Sequence, residues 1–145
     1  MPQNYKNHVR YYAPHHFVFL PLSAAFTIAT AVKAGKSRRK KQLLWGAVSA
    51  AGFLATYLGL MTRQHYALEL QDRIVRLEMR LRYYQLTGKR LEPFENPLGF
   101  SRIAALRFAS DEQLPALLDR SIEERLSADE IKKAVTDWQA DTMRV

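Results

Sequence analysis

The chain has 145 residues, with 22 lysines and arginines against 14 aspartates and glutamates, a net charge of +8 and no cysteine. That length supplies one ordinary domain, and the missing cysteines exclude disulfides, thiolate chemistry and zinc–sulfur sites. The positive balance favours phosphate-bearing partners, nucleic acid or anionic lipid. The mean hydropathy of -0.28 averages two unlike halves, because nearly all the uncharged sequence lies before position 62.

Residues 1–16 read as an N-terminal interfacial segment. Residues 17–32, FVFLPLSAAFTIATAV, and 43–61, LLWGAVSAAGFLATYLGLM, carry no charged side chain. Each approaches the roughly 17–25 residues that a membrane-spanning helix needs. Neither shows the polar face of a helix lying on a soluble core. Two such windows, separated by the ten residues 33–42, predict a helical hairpin through a bilayer. If both were instead buried in a soluble fold, the charged remainder of the chain could not coat them. The first window also resembles a secretory leader, with Ala29-Thr30-Ala31 as a small-x-small cleavage site. The basic block that follows disfavours export there, so it is read as an uncleaved span.

Pro21 falls near the first turn of the first span, where its missing N–H matters least. The second span is rich in small residues. At about 100° per residue, Ala51, Gly52, Ala55 and Gly59 share one face, with Gly46, Ser49 and Ala50 roughly opposite. Small side chains let membrane helices approach closely. Two helix neighbours are therefore expected, Ala25 and Ala29 of the first span on one side and a helix of another chain on the other.

Between the windows, KAGKSRRKKQ places Lys33, Lys36, Arg38, Arg39, Lys40 and Lys41 within nine positions. As a short loop between spans it is expected to meet lipid phosphate through Lys36, Arg38, Arg39, Lys40 and Lys41. Nucleic acid is not an expected partner, because so short a loop offers no aromatic or helical reading surface. Short basic loops stay on the cytoplasmic side, which places both tails outside. The inverse topology stays open, because Arg63, Arg73, Arg76 and Arg80 follow the second span and Lys6 and Arg10 precede the first.

No glycine or proline interrupts residues 62–87, so one helix from about 43 to 87 is expected, stopped by Gly88. At 1.5 Å per residue it would be roughly 65 Å long, about twice the hydrocarbon thickness. Its extramembrane part has a short heptad: Ala67, Leu70, Ile74, Leu77, Leu81 and Tyr84, spaced 3, 4, 3, 4, 3, form an a/d seam. Glu69–Arg73, Asp72–Arg76 and Glu78–Arg82 have the favourable acid-first i,i+4 order. Arg73 at g and Glu78 at e have the spacing of an interchain pair in a parallel coiled coil. The stretch is short for an isolated coiled coil, and the alternative is that the seam packs on the chain's own C-terminal helices.

Residues 88–99, with Pro93 and Pro97, read as a linker. Residues 100–145 carry three short helical patterns. The first covers 100–108. The second starts at a capping box, Ser110 to Gln113, and presents Leu114, Leu117, Leu118 and Ile122. The third starts at a second box, Ser127 to Glu130, and presents Ile131, Val135 and Trp138.

No phosphate-binding glycine loop, paired-ligand helix or nucleophile motif is present, and no ionisable side chain lies within either span. No cofactor and no catalytic residue are expected. His15 and His16 begin the first span and His65 ends the second, so a hairpin puts them at one membrane face. There they could ligate a metal, sense pH or line a quinone pocket, or simply tolerate the interface as amphipathic residues. Their spacing is not a metal motif.

Three stretches, QNYKNHVRYYAPHHF (3–17), QDRIVRLEMRLR (71–82) and ALRFASDEQLPAL…EIKKAVTDW (105–138), together resemble an uncharacterised family of small two-pass membrane proteins, mostly from Bacteroidota. The resemblance implies a bacterial envelope protein and brings no activity. The expectation is an all-α integral membrane protein, a two-helix hairpin whose second span continues into a long helix followed by a small helical region. It is expected in the bacterial inner membrane, as a non-enzymatic scaffold or accessory subunit and a homo-oligomer or part of a larger complex. A small channel lined by Thr27, Thr30, Ser49 and Thr56 is the alternative. A metal- or quinone-binding redox subunit, resting on the histidines, is the weaker one.

Overall fold

The computed structural model describes residues 2–9 and 11–141. Among them the regular structure is all helical, with one isolated bridge between Ala109 and Trp138. Two compact units form, Tyr11–Glu69 and a second made of Met1–Arg10 with Leu70–Arg144.

The first unit is a helical hairpin. Helix α1 spans Pro14–Lys36 and helix α2 spans Arg39–Thr62. Both are long and apolar enough to cross a membrane, and only 6% and 0% of their apolar windows is buried within the chain. Core helices of a soluble protein would be mostly covered. The first turn of α1, Pro14–Phe19, is wound as a wider π-helix, just ahead of Pro21, whose ring would crowd the carbonyl four residues back.

The ten-residue basic loop is not formed. α1 continues through Lys36, and only Ser37 and Arg38 take extended backbone before α2 begins. Lysine and arginine are good helix formers, and Lys33 and Lys36 in the last turn of α1 suit its negative end.

Close approach of α1 and α2 is made by fewer small residues than expected. A Cβ on Gly52 would stand 3.0 Å from Phe26 Cδ1 and Thr27 Oγ1, and one on Gly59 2.8 Å from the Phe19 ring. Opposite them lie Phe26, Thr27 and Phe19, not the alanines: Ala25 and Ala29 are exposed, as are Ala50 and Ala55, and a Cβ on Gly46 would meet nothing. Thr30 is buried and donates within its own helix, to the carbonyls of Phe26 and Thr27 at 2.9 and 3.0 Å, whereas Ser49 donates across the hairpin to the Thr27 carbonyl at 3.1 Å and ties the two helices together. Gly59→Leu is expected to separate the helices at that end and to lower the midpoint of an SDS unfolding titration.

Helical winding runs on from α2 through a π-helical stretch, Arg63–Leu68, into α3, Glu69–Thr87. It stops where expected. Gly88 takes φ +70° and its N–H bonds the Tyr84 carbonyl at 2.8 Å, the left-handed C-terminal cap that glycine alone adopts cheaply.

In the second unit α3 buries Val75, Met79 and Tyr83 in a core shared with α4, Glu92–Leu106, α5, Leu114–Glu123, and α6, Ala128–Ala134. The linker read at 88–99 is mostly helix. Pro93 sits in the first turn of α4, where its missing N–H forfeits no helical bond, and the break is held to Gly99, at φ +69°. The two expected capping boxes diverge. Ser127 and Glu130 exchange both bonds at the start of α6. Ser110 caps nothing with its side chain. Helix α5 starts at Leu114, and the Gln113 amide instead donates to the Ala134 carbonyl at 2.8 Å and accepts from the Thr136 N–H at 3.2 Å. α6 ends at Val135 in extended backbone, so Trp138 is not on its apolar stripe. It lies on the bridge to Ala109, its ring 4.8 Å from that of Phe108.

Residues 2–9 are not a free interfacial segment. Gln3 is buried and accepts the Asp141 N–H at 2.7 Å, the Tyr5 hydroxyl donates to Asp129 at 2.6 Å, and the His8 ring meets Phe108 and Trp138 at 5.6 and 5.8 Å. The chain's beginning is thus stitched to its end.

Candidate functional site

Helix α3 has two apolar faces. In the heptad, Val75 is at b, Met79 at f and Tyr83 at c, and these back positions are the buried ones. At a and d, Leu70, Ile74, Leu77, Leu81 and Tyr84 are 52–60% exposed, and Ala67 is exposed. The alternative that the seam packs on the chain's own C-terminal helices therefore does not hold. Those helices take the opposite face.

The charges divide the same way. None of the three expected i,i+4 pairs forms among the described residues. Glu95 of α4 accepts a bidentate pair from Arg80, one bond of it at 2.8 Å, with Arg76 at 3.7 Å. Arg82 reaches Asp111 at 2.7 Å and the carbonyls of Arg107 and Ala109 at 3.0 and 2.6 Å. A partly shielded fork to a carboxylate outweighs the roughly 0.3–0.5 kcal/mol of an exposed helix pair. Arg73 at g and Glu78 at e are exposed and keep no ion-pair partner among the described residues.

The Arg80 guanidinium holds the Glu95 carboxyl below the usual carboxylate range, against the burial that would raise it. A depressed carboxyl lends stability that is complete above its unfolded value and is lost as pH falls through its folded value. Glu95→Gln is expected to lower stability at neutral pH and to flatten the loss on acidification below about pH 4.5, read by denaturant titrations from pH 7 to 3.

At the hairpin turn, Ser37, Arg38, Arg39, Lys40 and Lys41 line an open hollow. Lys33 stacks over the Trp45 ring at 4.0 Å. Arg39, Lys40 and Lys41 occupy the first turn of α2, which has no acidic residue. Cations there oppose the helix dipole by about 0.3–1 kcal/mol each, and an anion from outside would relieve this.

The histidines are not gathered into a three-ligand centre. Among the described residues no three His, Cys, Asp or Glu side chains are placed to hold a metal. His15 and His16 lie against each other at 5.3 Å, His15 stacks on Phe19 and His16 meets Tyr11 edge to face, and His65 is exposed. The histidine that sequence reasoning passed over is His8. Its Nδ1 lies 2.6 Å from the Tyr5 carbonyl and its Nε2 3.2 Å from Lys132 Nζ. A pairing between residues 124 positions apart leaves no local sequence trace.

Neither a curated protein nor a solved structure matches the chain. One family model does, over residues 1–145, and it describes a family of unknown function. The chain therefore belongs to that family, DUF6526, along its whole length.

Proposed function

We propose that this is a non-enzymatic, two-span protein of the bacterial inner membrane, acting as a scaffold or accessory subunit that assembles through the front of α3. The observation that carries the reading is the outside of the hairpin. Leu22, Phe26, Ile28, Leu43, Leu54 and Leu58 are all more than half exposed. Water penalises a continuous apolar surface of this kind and acyl chains do not. Trp45 under Lys33, beside the basic turn, fits a headgroup layer, with lipid phosphate as the anion that the start of α2 lacks. On the positive-inside tendency the turn is cytoplasmic and both tails are outside.

A small channel is the less favoured alternative, because Thr30, Ser49 and Thr56 donate to backbone carbonyls within the hairpin and Thr27 Oγ1 is enclosed opposite Gly52.

Native mass spectrometry of the chain extracted from its own membrane in mild detergent tests the proposal. Recovery in the membrane fraction, as an integer multiple of 16.7 kDa or with foreign subunits, is expected. A lone 16.7 kDa species in the soluble fraction would overturn it. For topology, Ser37→Cys is expected to react with a membrane-impermeant maleimide only after the inner membrane is breached. Labelling in intact spheroplasts would reverse the orientation.

A further inference from the structure

We infer that the occupant of the α3 front face is a second copy of this chain, lying parallel and in register. This deepens the assembly proposed above and rests on it. The first ground is charge. A parallel pair in register sets g of one helix against the e five residues later on the other. Here those positions are Arg73 and Glu78, opposite in sign. The fold draws Arg76, Arg80 and Arg82 to its own carboxylates and leaves Arg73 and Glu78 on either side of the seam without an ion-pair partner among the described residues. A two-fold pairing satisfies both of them twice over. An antiparallel pair would set g against g and e against e, facing Arg73 with arginine and Glu78 with glutamate wherever those positions meet.

The second ground is preorganisation. Fewer than three heptads are too few to fold an isolated coiled coil. α3 is not isolated, because Val75, Met79 and Tyr83 are buried in the unit's core, Arg80 forks onto Glu95 of α4 and Arg82 reaches Asp111 and the carbonyls of Arg107 and Ala109. The ordering cost that makes short coiled coils weak is already met by the fold, and only the docking cost remains. Copies held in one membrane also meet at raised effective concentration.

Disulfide trapping tests this cleanly, because the chain has no cysteine of its own. The full chain, expressed in membranes, carries one substitution at a time: Leu70→Cys, Leu81→Cys or, off the seam at an exposed position, Glu69→Cys. Under mild oxidation the first two are each expected to give a band at about twice the 16.7 kDa chain mass, and Glu69→Cys little. Arg73→Glu is expected to reduce the Leu81→Cys dimer severalfold, and adding Glu78→Arg to restore it. Linkage of Leu70→Cys to Leu81→Cys only in mixed membranes would mean antiparallel pairing and overturn the proposal. So would equal trapping at all three sites, or no trapping. If trapping fails while native mass spectrometry still finds an assembly, the scaffold reading survives and the copy-on-copy seam does not.

Discussion

Phe108→Ala is expected to remove about 3–5 kcal/mol from the second unit, a large part of the roughly 5–15 kcal/mol that holds a small domain together. The ring is 1% exposed and wedged between Trp138 and His8, with the Arg107 guanidinium 4.2 Å from its centroid. Its own backbone carbonyl accepts the Gln139 N–H at 2.8 Å. Removing it opens a cavity where residues 2–9, the end of α4, the bridge and Gln139 meet. A denaturant titration followed by Trp138 fluorescence should show the midpoint fall and residues 2–9 become sensitive to protease well before the helices melt. A fall under about 1 kcal/mol would mean that this junction is not a core.

Leu77→Ala should do the reverse. The side chain is 60% exposed within the chain, so the unit's own stability should move by less than about 0.5 kcal/mol. In a paired seam the same leucine is buried, and its truncation costs about 2–5 kcal/mol, roughly thirtyfold or more in the dimer dissociation constant. Sedimentation equilibrium in detergent across a dilution series, alongside the unfolding curve, separates the two quantities. A leucine whose loss unfolds the unit and leaves association unchanged would place it in the chain's own core.

The contrast between these two residues also shows what could be read before the fold was known. The two uncharged windows report themselves, because helix length and apolar content are local properties. So does Gly88, whose conformational role depends only on its neighbours, and so does the box at Ser127 and Glu130. The a/d spacing of α3 was legible, but which of its faces the chain itself would use was not. Val75, Met79 and Tyr83 form a weaker-looking stripe, and only partners between 15 and more than 50 positions away select it. The same distance effect governs the ion pairs: Glu95 outcompetes a carboxylate four residues away because it arrives shielded, and Asp111 does so because Arg82 reaches the carbonyls of Arg107 and Ala109 in the same place. Pro93 looked like a breaker and proved to be a starter, a difference of one turn in where the helix begins. Ala25 and Ala29 are exposed within the chain, and the Ser49 bond that crosses to the Thr27 carbonyl depends on a hydroxyl, which a ranking by side-chain size does not register.

Helix α3 keeps one face for its own fold and, in the proposed pairing, one for another copy. A cysteine-reactivity scan along the helix measures both faces at once, with single cysteines at Ile74, Val75, Leu77, Met79, Leu81 and Tyr83 treated with a maleimide in membranes and again after dilution in detergent. Positions 75, 79 and 83 are predicted to stay protected in both conditions, and 74, 77 and 81 to be protected in the membrane and to react on dilution. Positions 74, 77 and 81 reacting freely in the membrane, or 75, 79 and 83 opening on dilution, would contradict this division of faces.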